Sequence, residues 1–234
     1  MLQSHSFSPL VIRGRSLLPI VQGGMGVGIS AHRLAGSVAR EGALGTIASI
    51  DLRHHHPDLV ERCSRSADHA TLEQANLTAL AREIHAAKAL SEGRGMIAVN
   101  VMKAVSAQAD YVRVACESGA DAIVMGAGLP LDLPEMTQGC DIALIPILSD
   151  SRGVALVLKR WMKKGRLPDA VVIEHPAHAG GHLGVANIAV FVSLGLDRKQ
   201  VPLILAGGIN SHEAVRALLM TRGRTVCNSA RRSP

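Results

Sequence analysis

Aromatic side chains are nearly missing from this chain: its 234 residues include two Phe, one Tyr and one Trp. Single-stranded nucleic acid is bound by basic grooves lined with stacking rings. With so few rings and no clustered basic stripe, a nucleic-acid role is not supported, although Lys and Arg number 25 against 19 Asp and Glu. The formal charge of +6 reads as an ordinary basic surface that can also attract an anionic substrate or a cofactor phosphate. Cysteine is scarce too. Cys63, Cys116, Cys140 and Cys227 are widely spaced and form no CxxC pair, so the spacing suggests neither a zinc knuckle nor a dithiol redox site. A reduced, cytoplasmic protein is the simplest reading. No apolar run reaches the roughly 18 residues a membrane span needs. Leu10 to Ile12 is too short for the apolar region of a signal peptide.

What the chain does have is 47% hydrophobic composition, enough for one large core. Short apolar runs alternate with helical patterns, the rhythm of a parallel α/β protein. Leu17 to Val21 reads as a strand, followed by the glycine loop from Gly23 to Gly28. A helix from Ala31 to Glu41, capped by Ser30, and a strand from Ala43 to Ile47 complete the unit. Further strands are expected at Met96 to Val101, Ala120 to Met125, Ile142 to Leu148, Ala170 to Ile173 and Val201 to Leu205. They are β-branched and lack alternation, as strands buried on both faces do. Seven such strands favour a (β/α)8 barrel over an open sheet. We expect a single domain over residues 1–234, with a helical insertion around 51–95 that includes a helix from Leu72 to Leu90. Arg224 to Asn228 is the candidate eighth strand and no closing helix follows it, so the barrel is expected to be incomplete there.

The ends of these strands carry the chemistry. The run from Glu174 to Gly184 places His175, His178 and His182 around the Gly180-Gly181 pair, just after a strand. His182 is the candidate base, because imidazole titrates near neutral pH and the glycines leave room to present it. His178 is a candidate substrate ligand, and Glu174 a second carboxylate. Gly207 and Gly208, ahead of a helix capped by Ser211, form a candidate phosphate site. The Gln22-Gly23-Gly24-Met25-Gly26 segment lets backbone lie against a flat ring, with a soft side chain at Met25. Asn100, Ser149 and Asp150 are polar groups at strand ends. A Rossmann fingerprint is not met: the third glycine is misplaced and Asp51 comes late. The His54-His55-His56 triplet reads as a solvated loop, not a metal site, because adjacent side chains diverge. Lys103 alone is a weak basis for an aldolase-like barrel.

The segments Pro19 to Gly26, Val99 to Val101, Met125 to Pro130, Ala179 to Gly184 and Ala206 to Ile209 occur in the order found in the nitronate monooxygenases, formerly called 2-nitropropane dioxygenases, which the chain resembles from residue 17 to about 220. It is also similar to the flavin-dependent enoyl-acyl-carrier-protein reductases. The resemblance implies an FMN-dependent TIM-barrel oxidoreductase. Met25 and its glycines would line the isoalloxazine, with Gln22, Asn100, Gly126 and Ser149 nearby. Gly180, Gly181, Gly207 and Gly208 would approach the phosphate, and His182 would be the base. The implied reaction is oxidation of an alkyl nitronate or nitroalkane with O₂ to a carbonyl compound and nitrite, without a metal. NAD(P)H dependence and a homodimer stay open. Thr225-Val226-Cys227-Asn228 does not match the family's Gly-Thr phosphate turn, and residues 185–200 are short for it. The C-terminus therefore reads as truncated or altered, which keeps an inactive scaffold as an alternative.

Overall fold

The computed structural model describes residues 7–64, 68–149, 151–174, 201–207, 213 and 225–228. The chain begins with a hairpin, β1 (Leu10–Ile12) and β2 (Arg15–Leu17), paired antiparallel. Its turn is Arg13-Gly14, both at positive φ (47° and 76°), the backbone twist that two-residue hairpins favour. The expected strand from Leu17 to Val21 is therefore two elements. Leu17 ends the hairpin, and β3 (Ile20–Gln22) starts after Pro19. An unbroken apolar run hid this boundary.

From there strands and helices alternate. α1 (His32–Arg40) leads to β4 (Leu44–Ala48). A 3₁₀ turn (Leu52–His55), α2 (Pro57–Ser64) and α3 (His69–Ser91) lie before β5 (Met96–Met102). α4 (Gln108–Glu117), β6 (Ala122–Gly126), α5 (Leu133–Met136), β7 (Ala143–Leu148), α6 (Ser151–Met162) and β8 (Val171–Glu174) follow. β9 (Leu203–Ala206) and β10 (Thr225–Asn228) are the last described strands. The polar stretch expected to be a loop at residues 51–57 holds the 3₁₀ turn instead. The short helix α5 had no periodic signal.

β3 to β10 pair in parallel in the ring order β10-β3-β4-β5-β6-β7-β8-β9. This is the expected α/β barrel of TIM type. β10, the weak point in the sequence, pairs with both β3 and β9. The least paired seam is β3 to β4, where Val21 opposite Leu44 carries the register. A closing helix after residue 228 lies outside the described residues.

Two apolar layers hold the barrel. Inside it, Val21, Leu44, Met96, Val124, Ile145, Val172 and Ile204 cluster with Leu10, Ile12 and Leu17 of the hairpin. The hairpin thus plugs the end where strands begin. Between strands and helices, alternate residues such as Ile47, Ile97, Ile123 and Leu144 pack on Leu80, Ile84, Val112 and Trp161. Aspartates latch the plugged end. Asp121 accepts the N–H of Ile97 (2.7 Å), and Asp169 that of Leu144 (2.7 Å). Arg15 reaches Asp121 at 3.0 Å and the carbonyl of Gly95, while Arg13 pairs with Asp141. The strands' other ends, at Gln22, Asn100, Gly126, Ser149, Glu174, Gly207 and Asn228, all open on the opposite mouth.

Candidate functional site

The loop after β3 is the best-defined part of that mouth. Gln22 is buried and uses both ends of its amide beneath the loop. Its Oε1 accepts the N–H of Thr46 at 3.0 Å, and its Nε2 donates to Ser30 Oγ at 2.9 Å and to the Thr46 carbonyl at 3.1 Å. Ser30 Oγ in turn donates to the Gly23 carbonyl (3.2 Å) and accepts the N–H of Met25 (2.8 Å). Two side chains thus fix the turn from below. The upper surface of the loop stays accessible: Gly23, Gly24 and Met25 are half-buried and Gly26 and Val27 are exposed.

This corrects the expected role of Ser30 as a helix cap, since Ala31 precedes α1 and no side chain of its own caps it. Glu83 of α3 reaches across instead. Its Oε2 accepts the His32 backbone N–H at 2.7 Å and lies 2.7 Å from His32 Nδ1, while His56 Nε2 is 3.0 Å from Oε1. Glu83 was missed by sequence reasoning, yet it falls on the apolar stripe of α3 with Leu80, Ile84 and Ala87. A buried carboxylate must find partners, and that placement was the available signal. Of the histidine triplet, His54 and His55 are exposed, and His55 lies over Gly28.

Asn100 stands on β5 beside this loop. Its Nδ2 donates to the Gly24 carbonyl at 3.3 Å, and its own carbonyl accepts the Ser49 N–H at 3.1 Å. Gly24 sits so close that a Cβ there would come within 2.5 Å of Asn100 Cβ. Only glycine allows that approach. Gly126 ends β6, buried against Ile147, and Ser149 follows β7, half-buried. The loop after β6 is anchored by Trp161 Nε1 to the Pro130 carbonyl (2.9 Å) and by Lys103 Nζ to Asp132 (2.7 and 2.8 Å). Lys103 is therefore ion-paired at the rim. Gly207 follows β9 with φ of 102°. Met25, Gly26, Asn100, Gly126, Ser149 and Gly207 thus share one mouth. Asp150, His175, His178, Gly180, Gly181, His182 and Gly208 lie outside the described residues. Among the described residues, no group of three or more His, Cys, Asp or Glu could hold a metal ion, and no helix is long and apolar enough to cross a membrane.

The family model for nitronate monooxygenase matches residues 14–227, which spans every strand of the ring from β3 into β10. The chain belongs to the nitronate monooxygenase family. No curated protein matches the sequence. Among solved structures, FabK from Thermotoga maritima is 21% identical with a TM-score of 0.64, covering 89% of this chain and 56% of that one. A nitroalkane oxidase from Streptomyces ansochromogenes is 16% identical with a TM-score of 0.61, covering 89% of this chain and 63% of that one. At these identities the likeness shows the fold. The chain spans less than two thirds of the length of either.

FMN is the cofactor that membership of the nitronate monooxygenase family implies. The described residues fit its ring. A rigid turn of small residues presents accessible backbone at Gly23 to Gly26, the space before Gly26 is open, and Asn100 lies alongside. For the phosphate, Gly207 stands on the same rim.

Proposed function

We propose that the chain binds FMN across this mouth and acts as a flavin-dependent oxidoreductase on alkyl nitronates or nitroalkanes. The observation that carries the reading is the family match over residues 14–227, supported by the convergence of parallel strand ends on one rim. In this reading Gly23, Gly24, Met25 and Gly26 carry the ring, and Asn100, Gly126 and Ser149 border it. Gln22 positions the loop from beneath. Gly180, Gly181, Gly207 and Gly208 bind the phosphate, and His178 binds substrate. When bound, FMN would supply the two-electron chemistry, with O₂ as the oxidant.

His182 is assigned the removal of the α-proton of a nitroalkane. An alkyl nitronate arrives without that proton, so the two substrates separate the base from the redox step. In His182→Ala, nitroalkane oxidation should fall by about 10²–10⁴-fold, while FMN binding and nitronate oxidation persist. Equal turnover of nitroalkane by both proteins would remove His182 from the role.

The first test is an absorbance titration of purified protein with FMN. A bound-flavin spectrum at equimolar occupancy is expected. Protein that stays colourless would favour the inactive scaffold. The second reading is an NAD(P)H-dependent flavin reductase of the enoyl-acyl-carrier-protein kind, favoured by a fold shared as closely with FabK as with the nitroalkane oxidase. Oxidation of NAD(P)H in the absence of nitronate would select it. Nitronate-dependent O₂ uptake with nitrite release would select the first.

A further inference from the structure

Ala31 precedes α1, and alanine carries no side-chain oxygen to accept the free N–H groups of a helix start. The acceptor comes from another helix. Glu83 Oε2 takes the His32 backbone N–H and faces His32 Nδ1, each at 2.7 Å. Its other oxygen, Oε1, stands 3.0 Å from His56 Nε2, close in distance but without the alignment of a hydrogen bond. Glu83 is 1% exposed, on a stripe where Leu80, Ile84 and Ala87 are fully buried. A leucine there would fill the space without the cost of desolvating a carboxylate. What the carboxylate adds is its contacts, and they lead to two segments that border the open mouth. The first is the loop after β3. His32 lies two residues beyond Ser30, whose hydroxyl clamps Gly23 and Met25. The Ser30 N–H also donates to the Met25 carbonyl (3.1 Å), and its carbonyl accepts the Ala48 N–H (2.9 Å). The second segment is the 3₁₀ turn after β4. His56 ends it, and His55 rests on the tip of the same loop: a Cβ added to Gly28 would lie 3.1 Å from His55 Nε2. One buried carboxylate thus holds both the root of the loop and the turn that lies against its tip.

Resting on the flavin reading of this mouth, we propose that Glu83 is a positioning residue for the cofactor loop. It ties the start of α1 to the 3₁₀ turn, so that the backbone from Gly23 to Gly26 keeps the surface on which the ring lies. Glu83 acts through Ser30 and His55 and takes no part in the reaction. Its bonds to His32 need an acceptor, which a neutral carbonyl oxygen also provides. Glutamine at this position preserves them: its carbonyl accepts from His32, and its amide donates to His56 in the tautomer that carries the proton on Nδ1. Alanine leaves the His32 N–H and both imidazoles without that partner. The role therefore separates from bulk packing. Ile84, the next residue of α3, is as deeply buried but lies in the outer apolar layer, so trimming it loosens the core and leaves the brace in place.

The test compares the full-length parent with Glu83→Ala, Glu83→Gln and Ile84→Val, held well below their melting temperatures. Amide hydrogen exchange without FMN reads the brace itself. In Glu83→Ala the amides of Met25, Ser30 and His32 should exchange at least about tenfold faster, beyond any rise at Val124 and Ile145 in the core strands. An FMN titration reads the consequence: the dissociation constant should rise by a similar factor in Glu83→Ala. Glu83→Gln should match the parent in both measurements. Ile84→Val should melt earlier than the parent yet keep its loop exchange and its FMN affinity. Unchanged exchange at the three loop amides in Glu83→Ala would overturn the proposal, and so would equal FMN affinity in a parent that binds FMN. Loss of affinity in Ile84→Val as large as in Glu83→Ala would reduce Glu83 to a packing role. A parent that binds no FMN would refute the flavin reading instead, and the exchange data would still decide whether Glu83 braces the loop. If Glu83→Ala folds poorly, His32→Ala removes one of the contacts from a half-exposed position. It should shift loop exchange in the same direction by a smaller factor, and no shift would overturn the proposal.

Discussion

Ser30 shows how a residue can be legible in type and misread in role. A serine before an apolar helical stretch has the signature of an N-cap, but its hydroxyl turns back to hold Gly23 and Met25. Its partners are local, yet the choice is made by Gln22, whose amide needs Thr46 from the next strand. Ser30→Ala removes a buried hydroxyl with several partners. We expect a loss of about 1–3 kcal/mol by urea denaturation and weaker FMN binding by titration. Unchanged FMN affinity would show that the clamp does not shape the flavin surface. A second residue-scale effect concerns alkali. Tyr111 is pushed above its ordinary range, first by burial and then by its hydrogen bond to Glu73, and burial raises Cys116 as well. Both groups are held neutral in the fold. Between unfolded values of roughly 8.5 for Cys and 10 for Tyr and their higher folded values, the native state binds more protons than the unfolded one. Their contribution is complete below the unfolded values and is lost as pH rises through the folded ones. The urea midpoint should therefore fall between pH 8 and pH 11 by less in Tyr111→Phe than in the parent. An equal fall in both would assign the alkaline limit elsewhere.

Elements were more readable than single contacts, because burial on both faces leaves an apolar run whatever the neighbours are. The strands at Met96–Met102 and Ala143–Leu148 appear within a residue or so of the expected bounds. What sequence could not show is how closely they approach a helix. α1 lies so near β4 and β5 that a Cβ on Gly45 would stand 1.9 Å from the Ala35 carbonyl oxygen. One on Gly95, just before β5, would stand 2.3 Å from the Ala39 carbonyl oxygen of the same helix. These glycines are required by backbone proximity, and their φ angles are not in the left-handed region. The neighbour is main chain, so it cannot swing aside as a side chain would. Gly45→Ala should destabilise by at least about 1–3 kcal/mol, the usual cost of overpacking. Gly26 faces open space, so Gly26→Ala should leave the melting temperature nearly unchanged. Similar melting temperatures for the two variants would refute the packing argument. The hairpin was illegible for a related reason. Its apolar residues continue into β3 without a polar break, and only the Arg13-Gly14 turn marks the reversal.

At the scale of the whole molecule the barrel has two mouths with different duties, and substitutions can separate them. At the plugged mouth, Arg15 ties the hairpin to Asp121 and to β5. At the open mouth, β10 closes the ring and sets Asn228 opposite Gln22, the residue beneath the Gly23–Gly26 loop. The family match runs through this strand to residue 227, although its residues depart from the expected phosphate turn. Fold membership could thus be read from the order of glycine segments, while closure by so short a strand could not, because pairing partners lie at the far end of the chain. Val226→Pro removes a backbone N–H from β10 and adds a ring that a central strand does not accommodate. We expect it to lower the melting temperature and FMN affinity together, because the seam it opens runs to Gln22. Arg15→Ala should cost about 1 kcal/mol of stability, more than an isolated surface pair because its hydrogen bonds are partly buried, and leave the FMN dissociation constant of the folded protein unchanged. Flavin titrations of both variants, held well below their melting temperatures, separate the duties. If Val226→Pro bound FMN as tightly as the parent, β10 would close the core without shaping the cofactor mouth.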